Sequence, residues 1–270
     1  MNRKKKYCAL LFGCLLVVAI LSGCIGRTTP KTIVTKMGVN LSKVTSFANE
    51  ISVDVKLEDV IHVTEACMDM TTESTLDPKA GHAKGTASIK MFDTKLESPI
   101  EIYQVVENNQ NIVYSGLDDH WQKAIMEDGE DSSIAIDGGM FQGLENLVDN
   151  FNLAEELVEV NEKECYEIYG KIIATDLMSL VGEDLMNAYG IVEIPEKELF
   201  QKLWVPITID VYKEEMLPAR IHVDMTDEMN DFYDDIGESM NVNDFTVDIL
   251  FLNYNQVEEI IVPDEVKKSI

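Results

Sequence analysis

Ile100-Glu-Ile-Tyr-Gln-Val-Val106 and Ile112-Val-Tyr114 flank the segment Glu107-Asn-Asn-Gln-Asn111. Apolar and polar residues alternate on both sides of a cluster of turn formers. Asparagine accepts left-handed backbone and bonds its own chain, so the stretch predicts a tight reversal between two antiparallel strands. The same two-residue period recurs outward in both directions. Ile51, Val53, Val55 and Leu57 face one way, and Ser52, Asp54, Lys56 and Glu58 the other. Ala87, Ile89 and Met91 alternate with Ser88 and Lys90, and Tyr166 and Ile168 begin a further strand. Val205, Ile207, Ile209 and Val211 meet Ile221, Val223 and Met225 across a turn around Met216-Leu-Pro218. Phe245, Val247, Ile249 and Phe251 alternate with Thr246 and Asp248.

Helical spacing is confined to a few segments. Met140, Leu144, Leu147 and Phe151 share one stripe, as do Leu177, Leu180, Val181 and Leu185 within Thr175 to Tyr189. Thr175 or Asp176 can cap the second of these, and Gly190 can close it. A weaker helix is expected over Leu41 to Phe47. Antiparallel hairpins with helices gathered on one side make an α+β fold. A sheet that is polar on one face must bury the other, so a curved sheet wrapped over the helices is expected.

Composition narrows the function classes. The chain carries 22 basic and 49 acidic residues, a net charge of −27. That balance excludes nucleic acid as a partner, because both would repel. Hydrophobic residues make up 46% of the chain, enough for a core. The basic start Arg3-Lys-Lys-Lys6 precedes an apolar run, Cys8 to Ile20, and then Leu21-Ser-Gly-Cys24. This order of positive, greasy and small residues reads as a secretory signal, and the run is shorter than the ~20 residues that span a bilayer. Residues 1–23 are therefore assigned as signal peptide, 24–36 as tether and 37–270 as a single domain. Loss of residues 1–23 leaves 18 basic against 49 acidic residues, a net charge near −31. Cys67 and Cys165 would remain in the body, where buried thiols are the preferred reading and a disulfide the alternative.

Leu21-Ser-Gly-Cys24 also resembles the lipobox of bacterial lipoproteins, which implies a diacylglycerol and acyl anchor on Cys24 at the extracytoplasmic face of the cell membrane. Four further cues lie in order: His82-Ala-Lys-Gly-Thr-Ala-Ser-Ile-Lys-Met91, continuing through Ile100-Glu-Ile-Tyr103 and Asn111-Ile-Val-Tyr114 to Asp119-His-Trp-Gln-Lys123; Cys165-Tyr-Glu-Ile-Tyr-Gly-Lys171; Val205-Pro-Ile-Thr-Ile-Asp-Val-Tyr212 with Met216-Leu-Pro-Ala-Arg-Ile-His-Val223; and Asn253-Tyr-Asn-Gln-Val257 with Ile261-Val-Pro-Asp-Glu-Val266. Their order resembles the LolA/LprG-like bacterial lipoprotein superfamily, in its Firmicutes-type members, over most of residues 82–266. The resemblance implies a half-barrel of antiparallel strands around helices, holding an acyl chain or lipopeptide. It brings no catalytic set and no cofactor.

The residues agree on that last point. His62, His82, His120 and His222 include no pair at the i, i+4 spacing of a helical zinc site. No G-x-S-x-G, P-loop or G-x-G-x-x-G occurs. Glu127 to Asp131 and Asp227 to Asp235 are acidic enough for calcium but lack EF-hand spacing, and read as solvated loops. The thirteen methionines, Trp121 and Trp204 read as core packing. On the expected concave face, Ile89, Met91, Ile102, Tyr103, Tyr114, Ile207 and Ile209 are the residues expected to line a ligand cavity. The leading expectation is a lipid-anchored, non-enzymatic carrier of a hydrophobic ligand. The alternative is an envelope interaction protein with a packed core and an acidic partner-binding surface.

Overall fold

The computed structural model describes residues 28–126 except 109, 118 and 119, then 144, 148–174 and 203–270. The signal peptide, Cys24, the Thr175 to Tyr189 helix and the acidic stretch Glu127 to Asp131 lie outside these residues. So does most of Met140 to Phe151, of which Leu144, Val148 and Phe151 are buried and Val148–Asn150 forms a 3-10 turn.

Twelve strands form one antiparallel, curved and unclosed sheet. The first six are β1 (Ser46–Glu58), β2 (Val63–Leu76), β3 (Lys79–Met91), β4 (Thr94–Glu107), β5 (Gln110–Leu117) and β6 (His120–Ile125). The rest are β7 (Asn152–Leu153), β8 (Val158–Val160), β9 (Lys163–Ile173), β10 (Trp204–Tyr212), β11 (Pro218–Asp224) and β12 (Asn241–Leu252). Their order is β6-β5-β4-β3-β2-β1-β12-β11-β10-β9-β7, with β8 also on β9. Two meanders thus meet where the first strand pairs with the last. This is the architecture expected from the alternation and from the family resemblance. The predicted hairpin is present: Val105 pairs with Ile112 and Glu107 with Gln110, and Asn108 takes the left-handed turn position at φ 53°.

The register explains the core. Ile51 stands opposite Ile249, Ile249 opposite Ile221, Ile221 opposite Ile209, and Ile209 opposite Ile168. Five isoleucines therefore form one buried row across β1, β12, β11, β10 and β9. Branched side chains pack well on a pleated surface, and each contributes roughly 1.5–3 kcal/mol through burial. Beyond Ile51 the row continues to Met70 and then Gly85. A Cβ at Gly85 would lie 2.0 Å from the carbonyl oxygen of Asp69 and 2.8 Å from Met70 Cγ, so glycine is required there.

Helix α1 (Pro30–Leu41) packs Ile33, Val34, Met37 and Leu41 into this core. The expected tether through residue 36 is therefore corrected, because residues 30–36 form the first turns of this helix. Thr29 caps it: its Oγ1 accepts from Thr32 N–H at 3.3 Å, while Thr32 Oγ1 accepts from Thr29 N–H at 2.9 Å. Pro30 fits the first turn, where its missing donor costs nothing. The helix expected over Leu41 to Phe47 is likewise corrected, since the chain turns there and β1 begins at Ser46. Helix α2 (Thr226–Ile236) takes in the whole of Asp227 to Asp235, which is thus not a loop. Asn230 ties it to β12, donating to the Val242 carbonyl at 2.8 Å and accepting from its N–H at 2.7 Å.

The C-terminal segment crosses the opposite face. Val262, and Val266 of the short helix α3 (Asp264–Lys268), pack with Ala80, Tyr103, Val105, Ile112 and Tyr114 into a second, smaller cluster. Lys267 Nζ reaches Glu107 at 2.6 Å and holds this strap down.

Candidate functional site

The expected cavity-lining residues divide between the two faces. Ile102, Ile207 and Ile209 are buried in the main core, and Ile89 packs against it half-buried. Tyr103 and Tyr114 belong instead to the second cluster, under the C-terminal strap. Side chains alternate along a strand, so Tyr103 must point away from its neighbour Ile102. The expectation that both tyrosines join the isoleucines on one concave face is thus corrected.

Met91 shares the face of Ile89 but lies beyond the packed core, and is 45% exposed. Leu96, directly opposite Ile89 on β4, is 68% exposed. Along β3 and β4 the apolar inner face therefore runs from closed packing at Ala83 and Ile102 into an open apolar margin at Ile89, Met91 and Leu96. Leu96 was not among the expected residues. The alternation that would have placed it is interrupted by Ser98, which stands between Leu96 and Ile100 on the same face.

The opposite face carries an open groove of about 600 Å3 across five strands. Its floor consists of two cross-strand rows. Lys84, Thr71, Glu50, Leu250 and Arg220 stand in one register row; Thr86, Asp69, Ser52, Asp248 and His222 stand in the next. Arg220 Nε donates to Asp210 Oδ2 at 2.8 Å. Asp210 is buried and its Oδ1 has no partner among the described residues. Burial pushes its carboxyl above the usual range, against the pull of Arg220. His222 Nδ1 lies 3.0 Å from Asp248, and Ser52 Oγ donates to Asp69 at 2.9 Å. These hydroxyls, carboxylates and cations stand among the apolar stems of the same side chains and Leu250.

His82, the histidine best placed to meet carboxylates, lies 2.9 Å from Glu101 and 3.9 Å from Glu73 and stacks on Tyr103 at 4.3 Å. Tyr103 also donates to Glu101 at 2.9 Å. Burial opposes ionisation of Glu101, yet these hydrogen bonds and Lys84 hold its carboxyl below the usual range. Burial raises the Tyr103 hydroxyl, as does the Glu101 charge. The cluster fixes the ring on which Val262 and Val266 pack. Cys67 and Cys165 are free thiols, both pushed up to about 11, first by burial and then by nearby carboxylates. A thiol so raised is a poor nucleophile. Trp121 packs over Gly116, as a core role requires, whereas Trp204 is corrected from core to half-exposed strand end.

Similar solved structures include LprF from Mycobacterium bovis, at 15% identity over 87% of this chain and 96% of that one, with a TM-score of 0.48. The lipoprotein LppX from Mycobacterium tuberculosis follows at 14% identity over 86% and 98%, with a TM-score of 0.45. A DUF1329 family protein from Desulfovibrio piger shows 11% identity over 86% and 96%, with a TM-score of 0.26. No curated protein matches the sequence. A family model does match, over residues 29–270, from the helix cap at Thr29 to the last residue. The whole described sheet falls within that match, and the chain belongs to the family of unknown function DUF6612.

Proposed function

We propose that this chain is a lipoprotein, anchored through Cys24 on the extracytoplasmic face of the membrane, that holds an apolar ligand such as an acyl chain or lipopeptide against the inner face of its sheet. The observation that carries the ligand reading is the open apolar margin at Ile89, Met91 and Leu96. Large apolar side chains left uncovered beside a packed core mark a surface that something else covers. The anchor reading rests on the lipobox Leu21 to Cys24, which follows the basic start and the apolar run. No reaction is part of the proposal: His82 and Glu101 are engaged with each other and with Tyr103, and both thiols are held protonated.

The test is native mass spectrometry of the detergent-free protein after mild extraction. An added acyl-chain mass is expected on the wild type and is expected to be lost in Leu96→Asp with unchanged thermal stability. A clean apo mass that takes up no fatty acid or lipopeptide would sink the carrier reading. A second reading, an envelope protein that meets its partner through a charged surface, draws support from the polar groove between Lys84 and Arg220. Crosslinking on intact cells would then capture a partner whose binding weakens with salt. Capture that salt leaves unchanged would count against it.

A further inference from the structure

At one end of the sheet, two adjacent hairpins end in apolar turns. The β1–β2 connection, Asp59-Val-Ile-His62, leaves Val60 87% and Ile61 82% exposed. The β3–β4 connection, Phe92-Asp93, leaves Phe92 64% exposed. His62 stacks on Phe92 with ring centroids 4.8 Å apart, so the two turns are one surface. That surface is also held rigid. Asp59 Oδ1 accepts from the N–H groups of Ile61 at 2.6 Å and His62 at 2.9 Å, and Asp59 N–H donates to the His62 carbonyl.

Both turns break local rules. Hairpin turns favour glycine, asparagine and aspartate, yet the first places two β-branched residues at its centre. The second holds Phe92 at φ 54°, a left-handed conformation that glycine adopts freely and a large side chain does not. Exposed, strained and apolar together, these residues cost the fold stability in water. Such departures concentrate at functional sites.

We propose that Val60, Ile61 and Phe92 dock the domain onto a lipid bilayer by inserting into its outermost acyl layer. This rests on the anchoring reading above. Five peptide steps separate Cys24 from the helix cap Thr29, a reach of about 17 Å when extended, so an acylated Cys24 keeps the domain close to the membrane. Lys56, Lys90 and Lys95 stand behind the turns, partly exposed and paired with Glu65 and Glu97, at the depth where headgroups would lie. A second copy fits less well, because it would bring the acylated chain, of net charge near −31, to its like. Docking here also sets the open margin at Met91 and Leu96 beside the bilayer.

The test uses the lipidated protein in vesicles of phosphatidylcholine with one fifth phosphatidylglycerol, with Cys67→Ser and Cys165→Ser. Nitroxide labels are placed at Ile61→Cys or, at the other end of the sheet, at Asn108→Cys. The label at 61 is expected to be reached by oxygen several-fold more readily than by a water-soluble nickel chelate, and the label at 108 the reverse. Val60→Ser with Phe92→Gly, which also relieves the turn, is expected to return the label at 61 to water with the fold intact. A water-exposed label at 61 on an acylated chain would overturn docking and leave the anchor standing. An intact mass without acyl groups on Cys24 would overturn the anchor and this proposal with it.

Discussion

The two ends of the sheet are built from the same strands but closed by opposite chemistry. At the end where β1 starts, the connections use Asp77-Pro78, Asn108, Asn161-Glu162 and Asn253 to Asn255, and Asn108, Asn161, Asn253 and Asn255 take positive φ values. Asparagine adopts that backbone at little cost and leaves a polar tip in water. The strap adds hydrogen bonds there: Asn255 N–H donates to the Ser46 carbonyl at 2.7 Å, and its Oδ1 accepts from Thr45 N–H at 2.7 Å. At the far end, Val60, Ile61 and Phe92 take turn positions that polar residues would fill more stably. The first end is closed mainly by polar turn formers, with Met216 of the β10–β11 turn its one apolar left-handed residue among those described, at φ 50°, whereas the far end leaves three large apolar residues in water.

That contrast can be broken or sharpened by substitution. The largest effect is expected where β3 and β2 run between the ends. Gly85→Val places a Cβ 2.0 Å from the Asp69 carbonyl oxygen and is expected to cost at least about 3 kcal/mol in denaturant unfolding, from backbone displacement across the ladder. A loss below 1 kcal/mol would show that the ladder yields easily there. Phe92→Gly is expected to stabilise the fold by about 1 kcal/mol, because the left-handed strain disappears. Asn108→Gly, at the polar end, should change stability by less than about 0.5 kcal/mol, since asparagine already tolerates that backbone. Equal effects at the two sites would dissolve the contrast.

Another small effect concerns the strap. The hydrogen bond from Lys267 is the main cause holding Glu107 below the usual carboxylate range. A lowered folded pKa means this contact stabilises above the usual carboxylate range and is lost as pH falls through the lowered value. Lys267→Ala should therefore cost under about 1 kcal/mol at neutral pH, as for exposed ion pairs, and nothing once Glu107 is protonated. Amide exchange at Val262 and Val266 would show it: wild type and variant should differ at pH 7 and converge in acid.

Period-2 alternation made most strands and the Val105–Ile112 pairing legible, because a half-buried strand imprints its two faces on the sequence. Legibility stopped where one local pattern serves two environments. Tyr103 and Tyr114 looked like cavity residues because both faces of β4 and β5 are apolar, and only the returning strap shows that one face is covered by the chain's own end. Helix α1 was hidden because its stripe begins at Ile33, inside a stretch that reads as a spacer after Cys24. Arg220 and Asp210 lie ten residues apart, and nothing local signals that β10 and β11 bury one beneath the other.

The amino-acid order by itself determined the antiparallel sheet and its α+β class, and it carries the lipobox-like Leu21-Ser-Gly-Cys24, since alternation, turn chemistry and a short greasy run are local properties. The three-dimensional arrangement alone decided which end is apolar. It did so by bringing His62 and Phe92, thirty residues apart, into contact, and by leaving Met91 and Leu96 beyond the reach of the core. Exposure depends on what the rest of the chain covers, and no local window of sequence contains that information.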